Sequence, residues 1–109
     1  MALDDKHCVP CKEGGEPLSN DREEELLKDM EGWKINREDE HSIQKTFEFD
    51  DFKGSIQFVN RVAEIANKED HHPDISIRYS KVKITLLTHK IGGLHENDFI
   101  VAAKIDRLV

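Results

Sequence analysis

Cysteine is nearly absent from this chain: 109 residues contain two, Cys8 and Cys11. A disulfide framework is therefore excluded as the basis of the fold. The pair forms "CVPC" with His7 alongside, which resembles half of a zinc knuckle. A structural zinc site takes four ligands, and no second Cys-x-x-Cys exists here, so only distant histidines or another chain could complete one. A redox Cys-x-x-Cys opens a helix in a βαβ unit, whereas "KEGGEPLS" follows here as loop. The plain reading is a tail whose thiols stay reduced. Long apolar runs are also missing, and "MALDDKHC" has no signal-peptide pattern. No membrane partner is expected, and the expected compartment is cytoplasmic. Basic runs are missing too. With a net charge of −7, the chain lacks the clustered Lys and Arg on which phosphate-backbone affinity depends, so no nucleic-acid partner is expected.

What is present is enough for one domain. A chain of this length buries a core without disulfides or metals. Residues 1–18 read as an irregular N-terminal tail, because Pro10, Gly14, Gly15 and Pro17 interrupt a stretch with no apolar period. Residues 19–109 read as a single folded domain. Ser19 or Asn20 offers an N-cap, with acids at 21, 23 and 24 suited to the helix dipole. Leu26, Leu27 and Met30 supply its apolar stripe, and Gly32 is expected to stop it near Met30 or Glu31. "WKIN" and "SIQKTFEF" alternate as a hairpin around polar "REDEH". The strongest helix spans "DDFKGSIQFVNRVAEIANKED", with Phe52, Ile56, Val59, Ala63 and Ala66 at helical spacing, widened by Phe58, Val62 and Ile65. Pro73 closes it. "DISIRYSKVKITLLTH" reads as two alternating strands, and "HENDFIVAAKIDRLV" as a final helix. The order α-β-β-α-β-β-α predicts an α+β fold, a four-stranded antiparallel sheet with helices packed on one face.

Half of the six histidines fall between residues 71 and 89. His71 and His72 lie at the exit of the long helix, and His89 at the end of the alternating run. By strand parity His89 opposes Val82, Ile84 and Leu86, away from the core. A helix exit and a strand end can meet at one sheet edge, where sites are carried by loops on a rigid scaffold. Adjacent histidines point in different directions, which makes joint ligation of one metal ion awkward. Acid–base chemistry suits them better, since imidazole exchanges protons near neutral pH. An elimination of water needs such a pair, one group protonating the leaving hydroxyl and another taking up a proton. Asp98, in the first turn of the final helix, is either an acid placed on the dipole or a site residue that orients a histidine or binds a substrate amine.

These residues form a spaced pattern. His71-His72-Pro73 is followed after five residues by Tyr79, after nine more by His89, and after eight more by Asp98. The pattern resembles that of the pterin-4a-carbinolamine dehydratase family, as do "LSNDREEELL", Gly32-Trp33 and "FEFDDFKGSIQFVNRVA" in the same order, over about residues 18 to 108. The resemblance implies a dehydratase that removes water from a 4a-hydroxytetrahydropterin to give the quinonoid dihydropterin. It also implies a small-molecule pterin as partner, a homodimer or homotetramer, and no metal or organic cofactor. His71 and His89 match the family's acid–base histidines. His72, Pro73, Asp98, Asn67, Asp70 and Thr88 are the candidate substrate-binding positions. One position departs from the family pattern. Where an acid, most often Glu, usually stands four residues before the first histidine, this chain has Asn67. Helical i, i+4 geometry is expected to aim Asn67 at His71. An amide lacks the charge that stabilises a histidinium, so weakened or retuned catalysis, not abolished catalysis, is expected.

Overall fold

The computed structural model of the chain describes residues 3–9 and 16–109. Three α-helices and four strands follow the expected order: α1 (Asn20–Leu27), β1 (Lys34–Asn36), β2 (Ser42–Glu48), α2 (Phe52–Glu69), β3 (Asp74–Arg78), β4 (Lys81–Leu86) and α3 (Glu96–Asp106). The strands form one antiparallel sheet in the order β1-β2-β4-β3. Two hairpins are thus joined through their second strands. Pairing of Ile43 with Leu86, Lys45 with Ile84 and Phe47 with Val82 places the apolar set of both central strands on one face. Ile43, Phe47, Val82, Ile84 and Leu86 are buried there. Lys81, Lys83, Thr46 and Glu48 face the other way and stay exposed. This is the one-sided burial usual for antiparallel sheets.

The helices cover the apolar face. Phe58 of α2 packs on Phe47 and Phe49 with ring centroids 4.8 and 5.0 Å apart, a spacing at which aromatic pairs attract beyond simple burial. Phe99, Val101, Ala102 and Ile105 of α3 are wholly buried. Trp33 meets Phe47 edge-on at 6.2 Å and donates Nε1–H to Asp106 at 2.9 Å, which satisfies its one polar atom.

Several local expectations are corrected. The helix α1 stops at Leu27 rather than Met30. A turn in which Met30 N–H donates to the Leu27 carbonyl still buries Met30, and Gly32 at φ 87° then reverses the chain. The core-facing line of α2 is Ser55, Phe58, Val62, Ala66 and Glu69, rotated from the expected stripe. Phe52 and Ala63 are exposed. Ser55 fits inside because its hydroxyl donates to the carbonyl of Tyr79 at 2.7 Å, securing the β3–β4 turn. Asp70, at φ 52°, is the left-handed C-cap that ends α2 three residues before Pro73. The strand β4 ends at Leu86, so His89 belongs to a short 3₁₀ turn, His89–Ile91, rather than to a strand end. Strand parity therefore does not set its direction.

The N-terminal segment holds more structure than its composition suggests. Leu3–Asp5 form a 3₁₀ turn, and Leu3 and Cys8 pack against the core. Cys11 lies outside the described residues, so the Cys-x-x-Cys pair is known here only through Cys8.

Candidate active site

The left-handed cap at Asp70 swings the chain off the axis of α2 and turns His71 inward, where its backbone N–H still donates to the Ala66 carbonyl at 3.1 Å. From there His71 Nε2 lies 2.6 Å from Asp98 Oδ1. Asp98 is completely buried, and its Oδ2 accepts from the Thr88 hydroxyl at 2.8 Å and from the His95 backbone N–H at 3.0 Å. Two donors to Oδ2 suit a carboxylate. With Asp98 as the carboxylate, the tautomer that satisfies the short contact carries its proton on Nε2 and leaves Nδ1 to exchange one. The sequence offers Asp98 as an acid on the helix dipole or as the partner of a site histidine; it lies in the first turn of α3 and also pairs with His71. One oxygen closes the capping box of α3 with His95, and the other holds His71.

His71 opens onto a cavity of about 340 Å³ that is also lined by His72, His89, Asp70 and Thr88. That volume lies near the lower end of the range, about 300–1,000 Å³, of small-molecule sites. The three clustered histidines thus converge on one space. Asp98 does not line it and is connected to it through His71 and Thr88. Pro73 and Asn67 are not among its lining residues. Asn67 is also not aimed at His71. Its Oδ1 pairs with His72 Nε2 at 3.0 Å, because the left-handed residue at 70 breaks the i, i+4 register that the sequence implied. The charge facing His71 comes from Asp98, 27 residues further along the chain. His89 is largely exposed, with Nδ1 3.8 Å from Glu40 Oε1, beyond hydrogen-bond reach. Its turn is pinned at the base by a bridge between Thr88 and Gly93. Gly93 is packed so closely against Pro17 that a Cβ would come within 2.8 Å. Among the described residues, no group of three or more His, Cys, Asp or Glu side chains is arranged to hold a metal ion. No helix among them is long and apolar enough to cross a membrane.

A family model described as Pterin 4 alpha carbinolamine dehydratase matches residues 16–108. The chain belongs to the pterin-4a-carbinolamine dehydratase family. A relative from Rubrobacter xylanophilus is 46% identical over 106 residues, covering 97% of each chain. One from Halorhodospira halophila is 46% identical over 108 residues, covering 99% of this chain and 98% of its own. Both bear the name pterin-4-alpha-carbinolamine dehydratase provisionally. Among solved structures, a transcriptional coactivator/pterin dehydratase from Brucella melitensis superposes with a TM-score of 0.80 at 33% identity, over 84% of this chain and 97% of that one. A pterin dehydratase-like protein identified as a RuBisCO assembly factor in the alpha-carboxysome has a TM-score of 0.62 at 22% identity, over 72% and 90% of the two chains, and shares the fold.

Part of the cavity wall in this family member was not evident from the motif. Glu69, Asn97, Cys8 and Val9 line it as well. Glu69 is the last residue of α2, and its buried carboxylate accepts from the Cys8 backbone N–H at 2.7 Å. It also pairs with His7 Nδ1 at 3.0 Å and lies 3.9 Å from Lys104 Nζ. Burial pushes the Glu69 carboxyl up, but the Cys8 amide, His7 and Lys104 outweigh it and hold it below the ordinary value. A carboxyl depressed in the folded state contributes stability that is complete above its unfolded value, about 4.3, and is lost as pH falls through its lower folded value. The side-chain carboxyl carbon resonance of Glu69, which reports its own ionisation, is therefore expected to titrate with a midpoint below about 4.3 in NMR spectra. A transition centred above pH 5 would contradict it.

Proposed function

We propose that this protein dehydrates a 4a-hydroxytetrahydropterin to the quinonoid dihydropterin by histidine acid–base catalysis. The observation that carries this reading is the convergence of His71, His72 and His89 on one cavity with the buried Asp98 behind His71. In the reaction the C4a–O bond breaks, its electron pair leaves with oxygen, N5 loses its proton and a C4a=N5 bond forms. His71 takes the N5 proton on Nδ1. Asp98, already bound to Nε2, is a positioning residue that holds the tautomer and stabilises the imidazolium that results. His89 protonates the departing hydroxyl, which leaves as water. His72, held by Asn67, contacts the pterin ring. The test is the rate of carbinolamine dehydration, followed by absorbance, for buffer, the protein and its His71→Ala and His89→Ala variants. Acceleration over buffer that is lost in either variant supports the reading. A rate equal to buffer rejects it in favour of a pterin-binding or protein-binding member of the family, a role suggested by the coactivator description of the Brucella relative.

The same reading includes a homodimer or homotetramer. Ile75, Ile77 and Tyr79 on and beside the edge strand β3 are exposed, and an exposed apolar edge strand is a ready pairing surface. Sedimentation of the protein is expected to give a mass at least twice 12.6 kDa, and Ile77→Lys to reduce it. A parent that sediments as a monomer would reject the oligomer.

A further inference from the structure

The segment His7–Val9 crosses the ends of two helices and supplies one side of the cavity. Its fastenings are unusual for a stretch with so little secondary structure. The Asn97 side chain grips the Val9 backbone twice, accepting from its N–H at 3.1 Å and donating Nδ2–H to its carbonyl at 2.7 Å. Asn97 is almost fully buried. Glu69 accepts from the neighbouring Cys8 N–H at 2.7 Å, and the Cys8 thiol reaches the Asn97 carbonyl at 3.7 Å. Glu69 closes α2, the helix that delivers His71, and Asn97 precedes Asp98, which holds His71. The segment is thus tied to the two helix ends that build the catalytic pair. Cys8 and Val9 line the same cavity as the histidines.

We propose that His7–Val9 is a latched strap that supplies part of the wall of the pterin site, and that Glu69 and Asn97 are positioning residues for substrate binding through it. The proposal rests on the dehydratase reading and adds a part of the site that the histidine pattern does not contain. A cavity wall contributes mainly to holding the ring. Loosening it raises KM more than it lowers kcat, because the proton-transfer pair stays in place. The strap also carries its own reporter. Burial, followed by the nearby Glu69 and Asp98 charges, pushes the Cys8 thiol up to about 12. The latched thiol therefore reacts slowly with alkylating reagents.

Asn97→Asp and Glu69→Gln keep side-chain shape while breaking the latch. The aspartate would set a carboxylate oxygen against the Val9 carbonyl, and the glutamine would remove the charge that holds Cys8 N–H and His7. Both variants are compared with the parent in a Cys11→Ser background, so that Cys8 is the sole thiol. Three quantities are measured: Cys8 alkylation rate expressed per thiolate, with the thiol titrated in each variant so that the changed charge beside it is removed from the comparison, affinity for 7,8-dihydrobiopterin by calorimetry, and KM with kcat for dehydration. The expected result is alkylation faster by about tenfold, pterin affinity weaker by about fivefold to tenfold and kcat within about threefold of the parent, the size of one or two lost hydrogen bonds. Asn97→Ser, which keeps a hydroxyl facing the strap, is expected to fall between Asn97→Asp and the parent. Faster alkylation with unchanged pterin affinity would overturn the proposal, since the strap would be loose and the site indifferent. Unchanged alkylation would overturn it as well, because the latch would lie elsewhere. A parent that neither binds nor dehydrates pterin would instead remove the dehydratase reading, and this proposal with it.

Discussion

His71→Ala is expected to lower kcat for carbinolamine dehydration by about 10²–10⁴-fold while leaving pterin affinity within a few-fold of the parent, the usual contribution of a positioned acid–base group. The side chain is nearly buried, its Nε2 is committed to Asp98, and Nδ1 is the nitrogen left for the substrate. Removing it deletes proton transfer at a place that water does not readily fill. His89 stands differently. Its side chain is 73% exposed, so water can replace part of its work, and His89→Ala is expected to cost less, about 10–10²-fold. If His89→Ala proves the more damaging, the assignment of His71 as the group that takes the N5 proton is wrong. Stopped-flow absorbance on both variants, with calorimetric pterin affinity as the control, decides between them.

Asp98 is expected to produce the second large effect, and two substitutions there separate chemistry from stability. Asp98→Asn keeps the shape. If its amide nitrogen faces His71, Nε2 must become the acceptor, the ring proton moves to Nδ1 and the base is lost. If its oxygen faces His71, the amide nitrogen meets the His95 N–H and the cap is lost. The first arrangement is expected to cost about 10²–10⁴-fold in kcat with little loss of stability, as when an orienting carboxylate of a histidine is neutralised in other enzymes. Asp98→Ala removes the partner of the Thr88 hydroxyl, the His95 N–H and His71 together. Losing a helix cap costs about 1 kcal/mol and stranding a buried donor about 1–3 kcal/mol, so about 3 kcal/mol is expected. That corresponds to roughly 10–20 °C in Tm for a domain of this size. Thermal unfolding followed by circular dichroism measures it. An Asp98→Ala variant as stable as Asp98→Asn would mean that the buried carboxylate is not holding these groups together.

Much of the molecule could be read locally. Alternation in "SIQKTFEF" and "KVKITL" identified the two central strands, and the paired register placed Ile43, Phe47, Val82, Ile84 and Leu86 on the face that periodicity assigned to them. The acid-rich start after Ser19 marks a helix start whose cap forms, and Asp98 lies in the first turn of the final helix as its position suggests, although the cap there is His95. The misreadings arose where a backbone conformation or a distant partner intervened. The stripe of α2 was centred too near Phe52, because an apolar side chain at the exposed first turn counts in a period as if it were buried. Helical spacing aims Asn67 at His71, but the left-handed backbone of Asp70 ends the helix first and Asn67 pairs with His72. Glu23 counted only as an acid on the α1 dipole. It is fully buried, with Arg37 at 3.0 Å and His41 at 2.7 Å, and so fastens the β1–β2 loop that carries Glu40 towards His89.

The sequence by itself determined which segments are helix and strand, that their apolar faces require a one-sided antiparallel sheet, and which histidines have the family's spacing. Those properties reside in neighbours a few residues apart, where periodicity, capping and motif spacing act. Only the tertiary structure decided that Asp98 is the carboxylate facing His71, that Asn67 serves His72, and that the Cys8 segment lines the cavity, held by Glu69 and Asn97. Each of these pairings, apart from Asn67 with His72, joins groups at least 27 residues apart. A charge or an amide takes its partner from whatever the packed core brings within about 3 Å, and no local pattern specifies that choice.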